Sequence, residues 1–360
     1  MKIFLLKIIF LFLITVAPLV AVNYIVDPLQ CFRPAKWYKP LYDPNERVQS
    51  GCLARSQVYD TVITGSSHVE NIDSAEVDRI FGVSSIRLTI AASTLFEQYS
   101  VLNLALREQP VKNVIWGLDT NILLDEPTRV RSDIVPFPNY IYHPGFLNNL
   151  LFLLDPYQMK HYAKIMINKS TGKFGEFENL RRLNSWSHLF TFSREKVLAA
   201  YQAVTQGKMA ALQNTNETIV IAELDAIPKE NVDKNVIDLV KNNPNTHFTI
   251  YFPPYSIVRF VEISQSDKLK LEAEWKLKEY LMTELLKLNN VAIFDFQVVK
   301  EITHNLDNYK DFTHYAPAVD EYILRELKSG ELKLKSGESA TTIDQLRRQL
   351  ENFDLSGFTE

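Results

Sequence analysis

Short apolar and β-branched runs alternate with segments of helical periodicity over residues 59–328. The runs predict β-strands at 59–64, 85–90, 111–118, 247–252 and 291–296. Apolar residues at helical spacing predict helices starting near residue 73 and over 94–107, 193–212, 231–241, 265–288 and 317–328. Strands separated by helices are typical of a parallel sheet with helices on both faces. The pattern therefore predicts an α/β fold with a parallel sheet of about five strands.

The alternation stops after the third strand, between residue 120 and about residue 214. That stretch contains several aromatic and apolar patches without a strand–helix repeat, and we interpret it as an insertion or cap beside the cleft. Alternation resumes with a short run at 218–222. The tail, residues 329–360, is highly charged and includes one predicted amphipathic helix at 342–353, so it need not belong to the core.

An uncharged apolar run at residues 8–26 follows Lys2 and Lys7. As a helix it would be about 28 Å long, close to the thickness of a bilayer core. The two lysines favour a cytoplasmic N-terminus. We interpret residues 1–27 as a transmembrane signal-anchor, with a cleaved signal peptide ending in the weak motif Leu19-Val20-Ala21 as the alternative. Residues 28–58, rich in Pro, Tyr, Arg and Asn, predict an extended linker without regular structure.

The composition narrows the classes of partner. The formal net charge is −4, so no basic excess favours nucleic acid. Cys31 and Cys52 could pair in an oxidising compartment, or could stay unpaired. Two thiols alone cannot complete a structural zinc site, the histidines show no metal-binding spacing, and glycine-rich nucleotide motifs are missing from the sequence. We therefore expect neither a metal nor a cofactor.

The ends of the strands carry the candidate chemistry, because ligands of open parallel sheets bind beyond the carboxyl ends of the strands. The first strand ends in Gly65-Ser66-Ser67-His68, where glycine permits a sharp turn and close approach of a substrate. Serine needs an adjacent base to become a nucleophile. Asp311 and His314, in a loop after the last strand, can supply the base and the carboxylate that orients it.

The serine turn after the first strand and the Asp-x-x-His block after the last resemble the SGNH or GDSL hydrolase superfamily. The resemblance covers residues 59–328 as a pattern, and it implies a three-layer, flavodoxin-like fold with Ser67, Asp311 and His314 as the catalytic triad. Residues 60–71 also look like membrane-anchored bacterial proteins of this class. The layout is similar to that of envelope glycan O-acyltransferases and the D-alanyl-lipoteichoic acid biosynthesis protein.

The middle blocks depart from that family. Its usual glycine after the second strand is missing from the region around Ala92, and Asp119 stands where an oxyanion-binding asparagine is expected. A carboxylate there would repel an oxyanion unless protonated. We expect backbone amides at Ser67 and near Ala92 to bind the oxyanion, with Asn121 as a further candidate. Further candidates for substrate contact are Gly65, Ser66 and His68, and His68 could instead be a second base or a local hydrogen-bonder in the turn.

The resemblance implies a serine esterase or O-acyltransferase acting on acyl esters of cell-envelope glycans through an acyl-serine intermediate. It also implies a single-pass protein of the bacterial inner membrane, with a cytoplasmic N-terminus and a periplasmic or extracellular catalytic domain. One alternative is a lipase or small-ester hydrolase. Another is a catalytically degenerate domain that binds a multi-pass membrane acyltransferase.

Overall fold

The computed structural model describes residues 2–354, apart from 37, 39, 41, 172–179 and 213–225. The predicted strand at 218–222 lies outside the described residues. The strands are β1 (Thr61–Gly65), β2 (Ser85–Arg87), β3 (Asn113–Gly117), β4 (His247–Phe252) and β5 (Val291–Asp295). All five are parallel, in the order β2-β1-β3-β4-β5. The predicted α/β class and five-stranded parallel sheet are therefore confirmed.

Helices fill the connections between the strands. Those up to β3 are α1 (Lys2–Val26), α2 (Glu46–Ser56), α3 (Ser74–Phe81) and α4 (Leu95–Glu108). Between β3 and β4 lie α5 (Asn139–Tyr142), α6 (Phe146–Leu154), α7 (Pro156–Thr171), α8 (Arg194–Leu212), α9 (Ala226–Val232), a π-helical turn (Asp233–Ile237) and α10 (Asp238–Lys241). The remainder are α11 (Ile257–Ser266), α12 (Lys268–Leu285), α13 (Lys300–Thr303), α14 (Pro317–Ser329) and α15 (Ser339–Glu351).

The sheet is covered on both faces. Every residue of β1 and β5 is buried, so neither face of these strands meets solvent. In the register, Gly65 of β1 lies beside Gly117 of β3, which in turn lies beside Tyr251 of β4. The carboxyl ends of the central strands are therefore level, and the loops that follow them meet at one edge.

Local sequence signals explain where the helices begin and end. Asp73 caps α3 by accepting a hydrogen bond from Ala75 N, and Thr94 and Glu97 form a reciprocal capping box at the start of α4. Pro317 occupies the first turn of α14, where a missing N–H costs least. The predicted helix at 265–288 corresponds to α12, which begins at Lys268 because Asp267 ends α11 and its side chain caps α12.

The prediction of an extended linker over 28–58 is wrong for its second half. Residues 46–56 form α2, and nearly all of them are buried. The helix has polar side chains on several sides, so apolar periodicity does not reveal it. Its polar residues are matched by partners distant in sequence, such as Ser50, whose hydroxyl donates to the Thr89 carbonyl at 2.8 Å. Cys31 and Cys52, whose pairing the sequence leaves open, form a disulfide.

The charged tail also contributes to the core. Helix α15 packs against α12, and its Ile343 and Leu346 are buried in the main hydrophobic cluster. Leu334 N–H, which precedes the helix, donates to the Ile293 carbonyl of β5 at 2.8 Å. The amphipathic helix was correctly predicted, and its apolar stripe is covered by the domain.

Helix α1 is 25 residues long and, by length and composition, apolar enough to cross a membrane. Its apolar side chains are exposed along most of its length. It packs against α6 and α7, and near its end Asn23 and Val26 are buried. Asn23 donates its side-chain amide to the Leu153 carbonyl at 2.7 Å.

Candidate active site

Ser67 follows β1 directly, at the carboxyl edge of the sheet. The turn depends on Gly65, whose φ of +147° belongs to a region that side chains rarely adopt. A Cβ on Gly65 would lie 2.6 Å from the Gly117 carbonyl oxygen and 2.5 Å from Val69 Cγ2. Only glycine therefore lets β1 and β3 approach closely while the chain turns to present Ser67.

The loop after β5 brings the predicted base to this serine. Ser67 Oγ lies 2.9 Å from His314 Nε2. On the other side of the ring, His314 Nδ1 lies 3.0 and 2.9 Å from the two carboxylate oxygens of Asp311. A carboxylate can only accept, so Nδ1 carries the proton and Nε2 is free to accept one from Ser67. Ser67, His314 and Asp311 therefore form one continuous hydrogen-bonded chain, although Ser67 and His314 are 247 positions apart in the sequence.

Asp311 is held in place and ionised. The backbone N–H groups of Thr313 and His314 both donate to its Oδ1 at 2.9 Å, and Lys310 Nζ donates to its Oδ2 at 2.9 Å. Burial alone would raise the pKa of the Asp311 carboxyl, but hydrogen bonds and charge from His314, with Lys310, hold it far below its usual range. The pKa of His314 is lowered by burial first and then by the charge of His68, against the opposing effect of Asp311.

A second histidine–aspartate pair lies beside the first. His68 Nδ1 lies 2.8 Å from Asp119 Oδ1, and both side chains are largely buried. The Tyr255 hydroxyl donates to the same carboxylate oxygen at 2.6 Å. The His68 ring stacks on the His314 ring, with centroids 4.6 Å apart and planes 19° from parallel. The two imidazole rings, each oriented by its own carboxylate, are therefore stacked next to Ser67.

The charge on Asp119 is neutralised locally. Burial would raise the pKa of Asp119, but the charge and hydrogen bond of His68, together with hydrogen bonds from Ser66 and Tyr255, lower it. The carboxylate thus faces His68 as an ionised partner. His68 Nε2 is buried and has no hydrogen-bond partner among the described residues. The side chain of Ser66 belongs to this second pair, with its Oγ 3.1 Å from His68 Nδ1.

The SGNH resemblance predicts a glycine near position 92. Ala92 adopts a left-handed backbone there, with φ of +49°. Non-glycine residues rarely adopt this conformation, and holding one there costs about 1–3 kcal/mol. The loop is held by α2: Arg47 donates to the Ala91 and Ala92 carbonyls, both at 3.4 Å, and Glu46 accepts from Ala91 N–H. Ala92 is therefore not glycine, but its backbone has the left-handed conformation that glycine adopts readily.

A cavity of about 450 Å³ lies between these groups. Ser66, Ser67, His68, Ala92, Asp119 and Asn121 line it, so the structure brings these sequence-predicted candidates together. Gly65 lies behind them in the turn, and the disulfide is separate from the lining. Most of the lining is polar or charged, and it includes three cations that sequence reasoning did not select: Arg129, Arg131 and Lys270. The described residues contain no group of three or more His, Cys, Asp or Glu arranged to hold a metal ion.

Trp186, from the irregular stretch after β3, is a site residue that the sequence analysis did not identify. Its Nε1–H donates to the Ser67 carbonyl at 2.9 Å, and its ring meets the His314 ring edge-on at 5.3 Å between centroids. Asn71 Oδ1 accepts from Trp186 N–H and Ser187 N–H, both at 3.0 Å, and fixes this turn. The pairing joins residues more than 100 positions apart, so spacing in the sequence offers no signal for it.

Comparison with known proteins identifies no relative, since no family model and no curated protein matches the chain.

Proposed function

We propose that this protein is a membrane-anchored SGNH-type serine esterase or O-acyltransferase that acts on acyl esters of cell-envelope glycans. The observation that carries the proposal is the continuous hydrogen-bonded chain from Ser67 through His314 to Asp311. Nucleophile, base and orienting carboxylate lie at the distances that acyl transfer requires. The strand order 2-1-3-4-5 is the flavodoxin-like order that the SGNH resemblance implies.

The reaction proceeds in two halves. Ser67 Oγ attacks the ester carbonyl while its proton passes to His314 Nε2. The tetrahedral intermediate expels the alcohol, which takes that proton, and acyl-Ser67 remains. A second hydroxyl, from water in hydrolysis or from an acceptor glycan in transfer, then attacks the acyl group as His314 accepts its proton, and Ser67 is regenerated. Asp311 stays ionised and stabilises the imidazolium in both halves.

The oxyanion needs donors that replace the missing asparagine. The Ser67 N–H and the backbone of the left-handed turn at Ala92 supply one set, as in the sequence prediction. In its imidazolium form His68 supplies another, because its Nδ1–H donates to Asp119 and its Nε2–H has no partner among the described residues. Asp119 then acts as the support of a donor and does not face the oxyanion itself.

A glycan ester fits the cleft better than a long-chain lipid ester. The cavity lining is mostly polar, whereas a lipase site needs a continuous apolar wall for the acyl chain. Trp186 and the half-exposed Phe190 pack edge-on beside His314, an arrangement that suits stacking on a sugar ring. The irregular stretch 120–214, which supplies Trp186, serves as the insertion beside the cleft.

The proposed location rests on the lysines at the start of α1 and on the disulfide that follows it. Helix α1 serves as an uncleaved signal-anchor, and the lysines at its start place the N-terminus in the cytoplasm. The domain then lies in the oxidising space outside the inner membrane, which is where a disulfide such as Cys31–Cys52 persists. A multi-pass membrane acyltransferase beside it is a fitting source of acyl groups.

Active-site labelling tests the proposal. Full-length protein is treated with a fluorophosphonate probe and assayed on an acetylated glycan and a small aryl ester, with and without an acceptor glycan. Wild type should be labelled at Ser67, and Ser67→Ala should lose labelling and at least about a thousandfold in turnover. Ser66→Ala, the neighbouring serine, is the matched control and should still be labelled.

The outcomes separate the alternatives. An unlabelled but folded wild type would favour the degenerate binding protein, and turnover that survives in Ser67→Ala would refute the assignment. Acceptor-dependent product indicates transfer, and its absence, with free acid released, indicates hydrolysis. Preference for long acyl chains over acetylated sugar would favour the lipase.

A further inference from the structure

Helix α6 is apolar on every side, which is unusual for a helix on the surface of a domain. Seven of its nine residues are Phe or Leu. One face, including Phe152 and Leu153, is buried against the domain. The other carries Phe146, Leu147 and Leu151, which are 83%, 71% and 56% exposed. A helix that is hydrophobic all round requires cover on both sides, and here only one side is covered.

The neighbour of this helix suggests what covers the open side. Helix α1 packs on α6 and α7, and near its end Asn23 binds the Leu153 carbonyl and Val26 is buried. The apolar run 8–26 is about 28 Å long as a helix, which roughly equals a bilayer core. If the run spans the core, the turns that touch α6 lie within about 10 Å of its outer boundary. Whatever surrounds those turns also meets α6.

The composition around α6 fits the boundary of a membrane. Met159, in the first turn of α7, is 44% exposed, the exposed Lys160 follows it, and α7 packs against α6. An apolar surface with lysine at its edge is typical of helices that lie in the headgroup region, with the cation near lipid phosphates. Asn148, between the exposed leucines of α6, donates to the His143 carbonyl at 2.6 Å and so does not present a free amide to lipid.

We infer that α6 is a second, monotopic membrane contact, with Phe146, Leu147 and Leu151 inserted into the outer leaflet beside α1. The inference rests on the proposed anchoring through α1. Two contacts fix the orientation of the domain on the bilayer, whereas a single helix would leave it free to rotate. The occupant of this face is phospholipid, and a protein partner is the outcome that the test must exclude.

Site-directed spin labelling of the full-length protein tests the inference. The native cysteines are paired, so a single introduced cysteine takes the nitroxide. The protein is placed in nanodiscs of phosphatidylethanolamine and phosphatidylglycerol, and collision rates with oxygen and with a water-soluble nickel chelate are measured. The variants are Leu151→Cys on α6, Phe12→Cys in α1 and, as a matched control, Leu269→Cys on α12. Their native residues are 56%, 58% and 59% exposed, so labelling should not disturb folding.

The labels on Leu151→Cys and Phe12→Cys should both collide more often with oxygen than with nickel, and the label on Leu269→Cys should show the reverse. A lipid signal at residue 12 with a water signal at 151 would overturn the inference and leave the anchor intact. A water signal at residue 12 would refute the anchor itself, and the α6 contact with it. Unchanged melting temperatures establish that each labelled variant is folded.

Discussion

His314 lies under opposing influences, and the balance sets the pH range in which it can act. Burial and the neighbouring charge of His68 lower its pKa, and Asp311 raises it, with a net lowering. The neutral imidazole is the form that accepts the Ser67 proton. We therefore expect kcat/KM for ester hydrolysis to hold as pH falls to about 6.5, the ordinary histidine pKa, and to decline only below it. A pH–rate profile checks this.

Removing the charge of residue 68 should shift that profile. His68→Gln keeps a donor for Asp119 but carries no charge, so the pKa of His314 should rise. The acid limb should move to higher pH, because a positive charge 4.6 Å from the His314 ring centroid no longer opposes protonation. Loss of the proposed oxyanion donor should also lower kcat more than it raises KM. A limb that stays in place would contradict the electrostatic role of the stacked ring.

At the scale of elements, α2 is the clearest case of a helix that serves the site. Arg47 pairs with Glu97 through two hydrogen bonds of 3.0 and 2.9 Å, and both side chains are buried. The same guanidinium reaches the Ala91 and Ala92 carbonyls of the strained turn. Breaking a buried pair from one side costs more than a surface pair is worth, because the remaining charge stays buried.

Arg47→Met should therefore lower the free energy of unfolding by about 3–5 kcal/mol and reduce kcat/KM, because the turn at Ala92 loses its support. Urea unfolding and ester hydrolysis, measured where the variant remains folded, check both parts. Arg79→Met removes an exposed partner of Glu76 and is the control, with little change expected in either measurement. Full activity in Arg47→Met would show that the active site does not need the support of α2.

The elements also show why the sequence predicts some features and misses others. Strands and their ends follow from apolar runs, and the rule that sites lie at the carboxyl edge leads from there to Ser67 and His314. Helix α2 is missed because polar partners distant in sequence stabilise it, and periodicity registers only apolar faces. The sequence predicts Asp119 at the carboxyl edge, but its pairing with His68 depends on how β1 and β3 lie side by side.

For the whole molecule, a chain of contacts connects the anchor to the cleft. The end of α1 is tied to α6 by Asn23, and the segment after it is joined to α2 by the disulfide of Cys31 and Cys52. Helix α2 then holds the turn at Ala92, which lines the cavity with Ser67. The end of α1 is thus part of the folded domain.

The proposed anchoring requires that α1 is retained. The weak motif Leu19-Val20-Ala21 lies inside the helix, and cleavage after it would remove the apolar run while leaving the buried Asn23 and Val26 with the domain. We expect protein isolated from membranes to have an intact mass of 41.5 kDa and to resist carbonate extraction. Leu19→Ala completes a small-x-small motif at the same place and is the control for cleavage. A wild-type chain that begins at Val22 would identify α1 as a signal peptide, and the domain would then lack its membrane tether.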